Sequence, residues 1–153
     1  IYLPNGNPIA TEKFAYKLRW MKRLQAHAQE LLTYEEPLAL VGDYNVIPEP
    51  RDARHPENWA NDALFQLESR EAFRALKWLG LTEAFLEADG SPEAFTFWDY
   101  QAGAYERNNG IRIDHALLSP QAADILKAVR IDAHVRAWEK PSDHVPLVIE
   151  LDA

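Results

Sequence analysis

Phe14, Leu18, Met21, Leu24, Ala28 and Leu31 recur at spacings of three and four through a charged background, which is the stripe of one long amphipathic helix. Thr11 stands where a cap would start that helix, and Pro37 bars its continuation. The pattern then changes. Leu38-Ala39-Leu40-Val41 is a short continuous apolar run suited to a strand buried on both faces, and its C-terminal end is Gly42-Asp43-Tyr44-Asn45.

Residues 46–65 hold three prolines and little apolar periodicity, an excursion longer than most loops, and such loops tend to be functional. A second helix is expected from a Ser69 cap through Phe73, Leu76 and Leu79, with Gly80 ending it in a left-handed conformation. Residues 81–88 read as a short helical piece. Strand-like segments follow at 95–100, 111–119 and 145–151, with a further one at 128–138. Helices that alternate early with a buried strand, then strands in succession, predict an α/β or α+β class with a mixed sheet. No repeat or internal linker divides residues 1–153, so a single unit is expected.

Composition narrows the chemistry. With 153 residues, 47% of them hydrophobic, the chain can bury one sizeable core. The absence of cysteine excludes disulfides, thiolate-held metals and thiol nucleophiles, so any metal must be held by oxygen or imidazole. A net charge of −8 argues against a passive nucleic-acid binder, which would use excess Lys and Arg. It suits a carboxylate site whose divalent cation supplies the attraction for phosphate. No apolar run approaches the roughly 20 residues a membrane helix needs, and no membrane partner is expected. The chain opens on Ile1-Tyr2-Leu3-Pro4-Asn5-Gly6 without a starting Met, so it is expected to be part of something longer.

Three places carry candidate chemistry. Asp43 and Asn45, two residues apart after a buried strand, point to one side if the strand continues, where α/β sheets favour ligand sites; a plain Gly-Asp and Asn turn is the alternative. In Ile111-Arg112-Ile113-Asp114-His115, alternation puts Arg112 and Asp114 on one face, as a functional acid or as a solvated ion pair. Asp143-His144 follows a turn set by Lys140-Pro141, and a histidine beside a carboxylate can move a proton or hold a phosphate; it can also be an ordinary loop. Phosphate-loop, dinucleotide, nucleophile-elbow and His-Glu-x-x-His motifs are all missing. The remaining oxygen-rich set suits Mg²⁺ or Mn²⁺ and phosphoryl chemistry better than Zn²⁺.

In this order, Ile-Tyr-Leu-Pro-Asn-Gly at 1–6, Gly-Asp-Tyr-Asn at 42–45, Ile-Arg-Ile-Asp at 111–114 and Lys-Pro-Ser-Asp-His at 140–144 resemble the endonuclease/exonuclease/phosphatase superfamily, and within it the exonuclease III branch. The resemblance extends through Asn45-Val46-Ile47-Pro48, Phe95-Thr96-Phe97-Trp98-Asp99-Tyr100 and Arg107-Asn108-Asn109-Gly110. It implies half of a four-layered αββα sandwich of the DNase I-like type, with the N-terminal half, including a metal-binding glutamate, outside this chain. It further implies a Mg²⁺-dependent DNA-repair phosphodiesterase, exodeoxyribonuclease III or abasic-site endonuclease, acting on duplex DNA with abasic sites or 3′ ends. A bacterial cytoplasmic protein, monomeric at full length, is the corresponding expectation.

Under the resemblance, Asp43 aligns or deprotonates the attacking water, Asn45 bonds the scissile phosphate, and His144 binds phosphate while Asp114 orients it. Tyr2 lies near the phosphate, and Asp43, Asn45, Asp143 and His144 make up the metal side. Phe97, Ile111 and Ile113, with Trp98 beside them, line an apolar pocket for a base-free deoxyribose, or are core. Arg107, Asn108, Asn109 and Arg112 meet the DNA backbone, or solvate a hairpin. Competing readings are another phosphoesterase of the superfamily, such as an inositol phosphatase or a sphingomyelinase, and a non-catalytic fragment or interaction domain.

Overall fold

A computed structural model describes residues 1–152. Helix α1 spans Glu12–Leu32, and Thr11, in extended conformation, accepts the Lys13 amide through its side chain. Its stripe buries Met21, Leu24 and Ala28 against helix α2, Leu67–Lys77. That second helix begins two residues before the expected cap. Ser69 is instead buried inside it and donates its hydroxyl to the Ala63 carbonyl at 2.7 Å, so the hydroxyl anchors the preceding loop rather than the helix end.

Strand β1, Ala39–Asp43, pairs antiparallel with β3, Asp114–Leu118, in a register that sets Asp43 opposite Asp114. The short β2, Thr82–Glu83, takes the other edge of β3, and helix α3, Ala84–Ala88, follows it. Helix α4, Pro120–Ala123, begins at a Ser119 cap. Strands β4, Leu126–Ile131, and β5, Leu147–Leu151, form a second antiparallel sheet. Tyr2 bridges Asp43 in the parallel sense, so the first sheet is mixed at that edge.

Alternation along β3 builds the layers. Leu117 joins Leu3, Met21, Leu40, Tyr44, Phe73 and Leu76 under the helices. Ala116 and Leu118 join the cluster that includes Val129, Leu147 and Ile149 of the second sheet. Gly42 serves clearance: a Cβ there would lie 2.0 Å from the Ile1 carbonyl oxygen, so only glycine lets the first residues lie flush along β1.

Two expected strands are not regular. Residues 95–100 make isolated bridges, from Phe97 to Ile111 and to His144, because they cross strand ends rather than run beside a whole strand. The 128–138 segment divides into β4 and a 3-10 turn, Ala133–Ala137. The long excursion holds 3-10 turns at Pro50–Asp52 and Pro56–Trp59. The Ile47 amide bonds the Leu64 carbonyl at 2.8 Å and the Arg54 amide bonds the Gly110 carbonyl at 3.0 Å, which closes the loop onto the body.

Candidate active site

Asp43 ends β1 and Asp114 opens β3, so the antiparallel register alone brings the two carboxylates together. His144 arrives from the 140–144 turn and sits between them. Its Nδ1 lies 2.8 Å from Asp114 Oδ2 and its Nε2 lies 3.9 Å from Asp43 Oδ2. The ring meets the Phe97 ring edge-on at 5.1 Å. Asn45 donates its amide N–H to Asp43 Oδ1 at 2.8 Å, and its Nδ2 to Asp43 Oδ2 at 3.2 Å and the Leu3 carbonyl at 2.8 Å. Its backbone takes φ +47, a left-handed conformation that asparagine tolerates better than most residues. Tyr2 holds its place through its backbone bridge to Asp43, and the residue is 75% exposed.

Electrostatics divide the roles. The hydrogen bond to Asp114 raises His144 above its ordinary value against the effect of burial, and the charges of Asp114, Asp43 and Asp143 add to the rise. Burial raises Asp43, opposed by the Asn45 amide, and the nearby Asp114 charge adds to the rise. The site therefore favours an imidazolium next to a carboxylate whose basicity is increased. Asp43, Asn45 and Asp143 offer hard oxygen donors of the type a divalent cation takes. Among the described residues, no three His, Cys, Asp or Glu side chains converge as a metal cage.

Thr96, missed in the sequence, carries much of the alignment. Its hydroxyl accepts the amides of both Ile113 and Asp114 at 3.1 Å. Consecutive amides of a regular strand point opposite ways, so the alternation is broken there. That break separates Arg112 from Asp114. The Trp98 amide bonds the Asp143 carbonyl and the Val145 amide bonds the Thr96 carbonyl, which fixes His144 between them.

The substrate side needs two corrections. Arg112, expected on the DNA backbone, is 2% exposed and bonds Asp52 through Nε at 2.9 Å and Glu83 through Nη1. Its Nη2 also lies 2.8 Å from Asp52 Oδ1, but out of line for a hydrogen bond. Trp98 is likewise buried, with Nε1 donating to Asn108 Oδ1 at 3.1 Å, so it packs the core. Phe97 and Ile111 border a cavity of about 390 Å³, with Trp59 and Asn109, and Ile111 is itself buried in the cluster of Ile47 and Leu64. Ile113 is buried with Ile47 and Leu64. Arg107 is exposed and bonds the Ala102 carbonyl.

A second buried charge was also missed. Lys17 is fully buried, and its Nζ donates to the carbonyls of Asn5, Asn45 and Ala63. Burial pushes the amine down to about 7, while Asp62 and Asp43 oppose the fall. The signal was present as a lysine three residues after Phe14 and four before Met21, inside the apolar stripe.

A family model described as Endonuclease/Exonuclease/phosphatase matches residues 2–144. The chain belongs to this family. In the endonuclease/exonuclease/phosphatase family it is similar to the exodeoxyribonuclease of Bacillus subtilis, with 33% identity over 96% of this chain and 56% of that protein. It is also similar to exodeoxyribonuclease III of Haemophilus influenzae, with 31% identity over 97% and 59%. Among solved structures it resembles an AP endonuclease from Archaeoglobus fulgidus, with 35% identity and a TM-score of 0.94 over 99% of this chain and 60% of that one. A Neisseria 3′ phosphatase bound to a product DNA hairpin matches with 35% identity and a TM-score of 0.95, over 100% and 60%. The fold is thus that of the family's nucleases, and the chain spans a little over half the length of these relatives.

Proposed function

We propose that this chain carries the phosphate-binding histidine and the water-activating aspartate of a Mg²⁺-dependent phosphodiesterase of DNA repair, cutting duplex DNA at abasic sites or 3′ ends. The observation that carries this reading is the Asp114–His144–Asp43 line across three strand ends. The relatives named above, and the DNA hairpin on one of them, support the substrate class.

In the proposed reaction Asp43, made more basic by burial, takes the proton from the attacking water. Negative charge then grows on the phosphoryl oxygens, and the His144 imidazolium donates to one of them while Asp114 fixes its ring; the P–O bond to the departing sugar oxygen breaks, and that oxygen takes a proton from solvent water. Asn45 and the exposed Tyr2 add polar groups at the same mouth. A divalent cation, held in part by Asp43, Asn45 and Asp143, would neutralise phosphoryl charge. The cavity of Phe97, Trp59 and Ile111 takes a sugar that has lost its base.

The protein that contains this chain is expected to incise a duplex with a synthetic abasic site in Mg²⁺ and to stop in EDTA, read on a denaturing gel. Hydrolysis of an inositol polyphosphate with no cut at the abasic site would overturn the assignment. The pH dependence has a defined sign. Asp43 must be ionised, so kcat/KM rises with pH on the acid limb; burial raises this carboxyl, and a cation held beside it would lower it again. His144 must be charged, so kcat/KM falls again through a value above 6.5. An alkaline limb centred below 6.5 would remove the imidazolium from the mechanism.

A further inference from the structure

Asn45 has a partner for each of its backbone polar groups and for its side-chain nitrogen. Its N–H is held by Asp43, its Nδ2 by Leu3 and Asp43, and its carbonyl by Lys17 Nζ. The side-chain oxygen is what remains to face a ligand. Lys17 is the one of these partners that comes from a helix. It reaches from α1 to three segments that surround the site: Asn5 after the Tyr2 bridge, Asn45 after β1, and Ala63 at the close of the long excursion.

The cage suits an ammonium. All three contacts are carbonyl acceptors, which match three N–H donors, whereas a neutral amine would turn a lone pair toward one of them. The chain makes room for it as well. A Cβ at Gly6 would lie 2.6 Å from Lys17 Cδ, so that glycine, at φ +90, admits the lysine stem. Ser69 shares the Ala63 carbonyl, and Asn7 bonds both the Ala63 amide and Asp62. The rim is thus ordered around the ammonium, at the cost of burying a charge.

We propose that Lys17 is a positioning residue of the active site, whose ammonium holds the left-handed Asn45 backbone and thereby aims the Asn45 side chain at substrate. The inference rests on the phosphodiesterase reading and extends it to a residue that touches no substrate. A residue acting through Asn45 must lose its effect when the Asn45 side chain is gone, whereas a general packing role would persist.

The test is a double-mutant cycle on an abasic duplex in Mg²⁺, with rates taken per folded molecule. Lys17→Met, or Lys17→Gln if the first does not fold, is expected to lower kcat at least about tenfold with KM changed less than about threefold. In an Asn45→Ala background the same substitution is expected to cost less than about threefold. Unchanged kcat, or an equal loss in both backgrounds, overturns the positioning role while the unsubstituted protein still cuts. No incision by the unsubstituted protein overturns the phosphodiesterase reading itself, and the inference with it.

Discussion

Under the proposed function, His144→Asn and Asp114→Asn are each expected to lower turnover on an abasic duplex by about 10²- to 10⁴-fold, the range that a positioned acid or base supplies. The two losses do not add. His144 acts through the charge and orientation that Asp114 gives it at 2.8 Å, so the double variant is expected to be little worse than either single one. Both residues are partly exposed at the site mouth, so thermal unfolding should stay near that of the unsubstituted protein. The measurement is single-turnover incision beside a melting curve. Near-normal turnover in either variant would remove the pair from the mechanism, and additive losses would mean that the two residues act separately.

The largest expected effect on stability lies on the other side of β3. Arg112→Met takes the guanidinium from two carboxylates, Asp52 and Glu83, that are 6% and 1% exposed at the side chain, and leaves Glu83 with His115 at 3.1 Å and Lys77 at 3.7 Å. Burial alone would raise Glu83, yet its hydrogen bond and ion pair with His115, and Arg112 itself, hold it well below the ordinary range. Removing one partner of such a group costs about 3–5 kcal/mol, and the contact of the guanidinium with the Phe85 ring at 5.1 Å is lost too. At about 2–4 °C per kcal/mol for a chain of this size, Tm should fall by roughly 10 °C. Adding Asp52→Asn and Glu83→Gln to Arg112→Met should restore part of the loss, because fewer bare charges remain buried. A fall in Tm of a degree or two from Arg112→Met would show that water reaches the pair.

What was legible in the sequence followed the periodicities. The α1 stripe, its Thr11 cap and the apolar β1 run each report a local preference that tertiary packing keeps. Asp43, Asn45, Asp114 and His144 were legible as motifs at strand ends, and the register of β1 on β3 brings Asp43 and Asp114 together, with Asn45 bonded to Asp43 just beyond the strand. Arg112 was misread because strict alternation pairs it with Asp114, and the departure comes from a hydroxyl seventeen residues from Ile113 along the chain. Lys17 was overlooked for a different reason. A charge in an apolar stripe means burial only if acceptors wait for it, and those acceptors are backbone carbonyls, which leave no mark in a sequence. The segment 95–100 has strand composition but lacks a continuous neighbour to pair with, a property of topology rather than of its own residues.

The double acceptance by Thr96 also bears on how natural variation in this protein should be interpreted. Serine there would retain the oxygen with one methyl fewer, while valine would reproduce the outline and orphan two amides at once. Similarity of shape and similarity of consequence therefore part company at this residue. A ranking of variants by size and hydrophobicity alone would invert the order of harm on a segment that ties His144 to its aspartate.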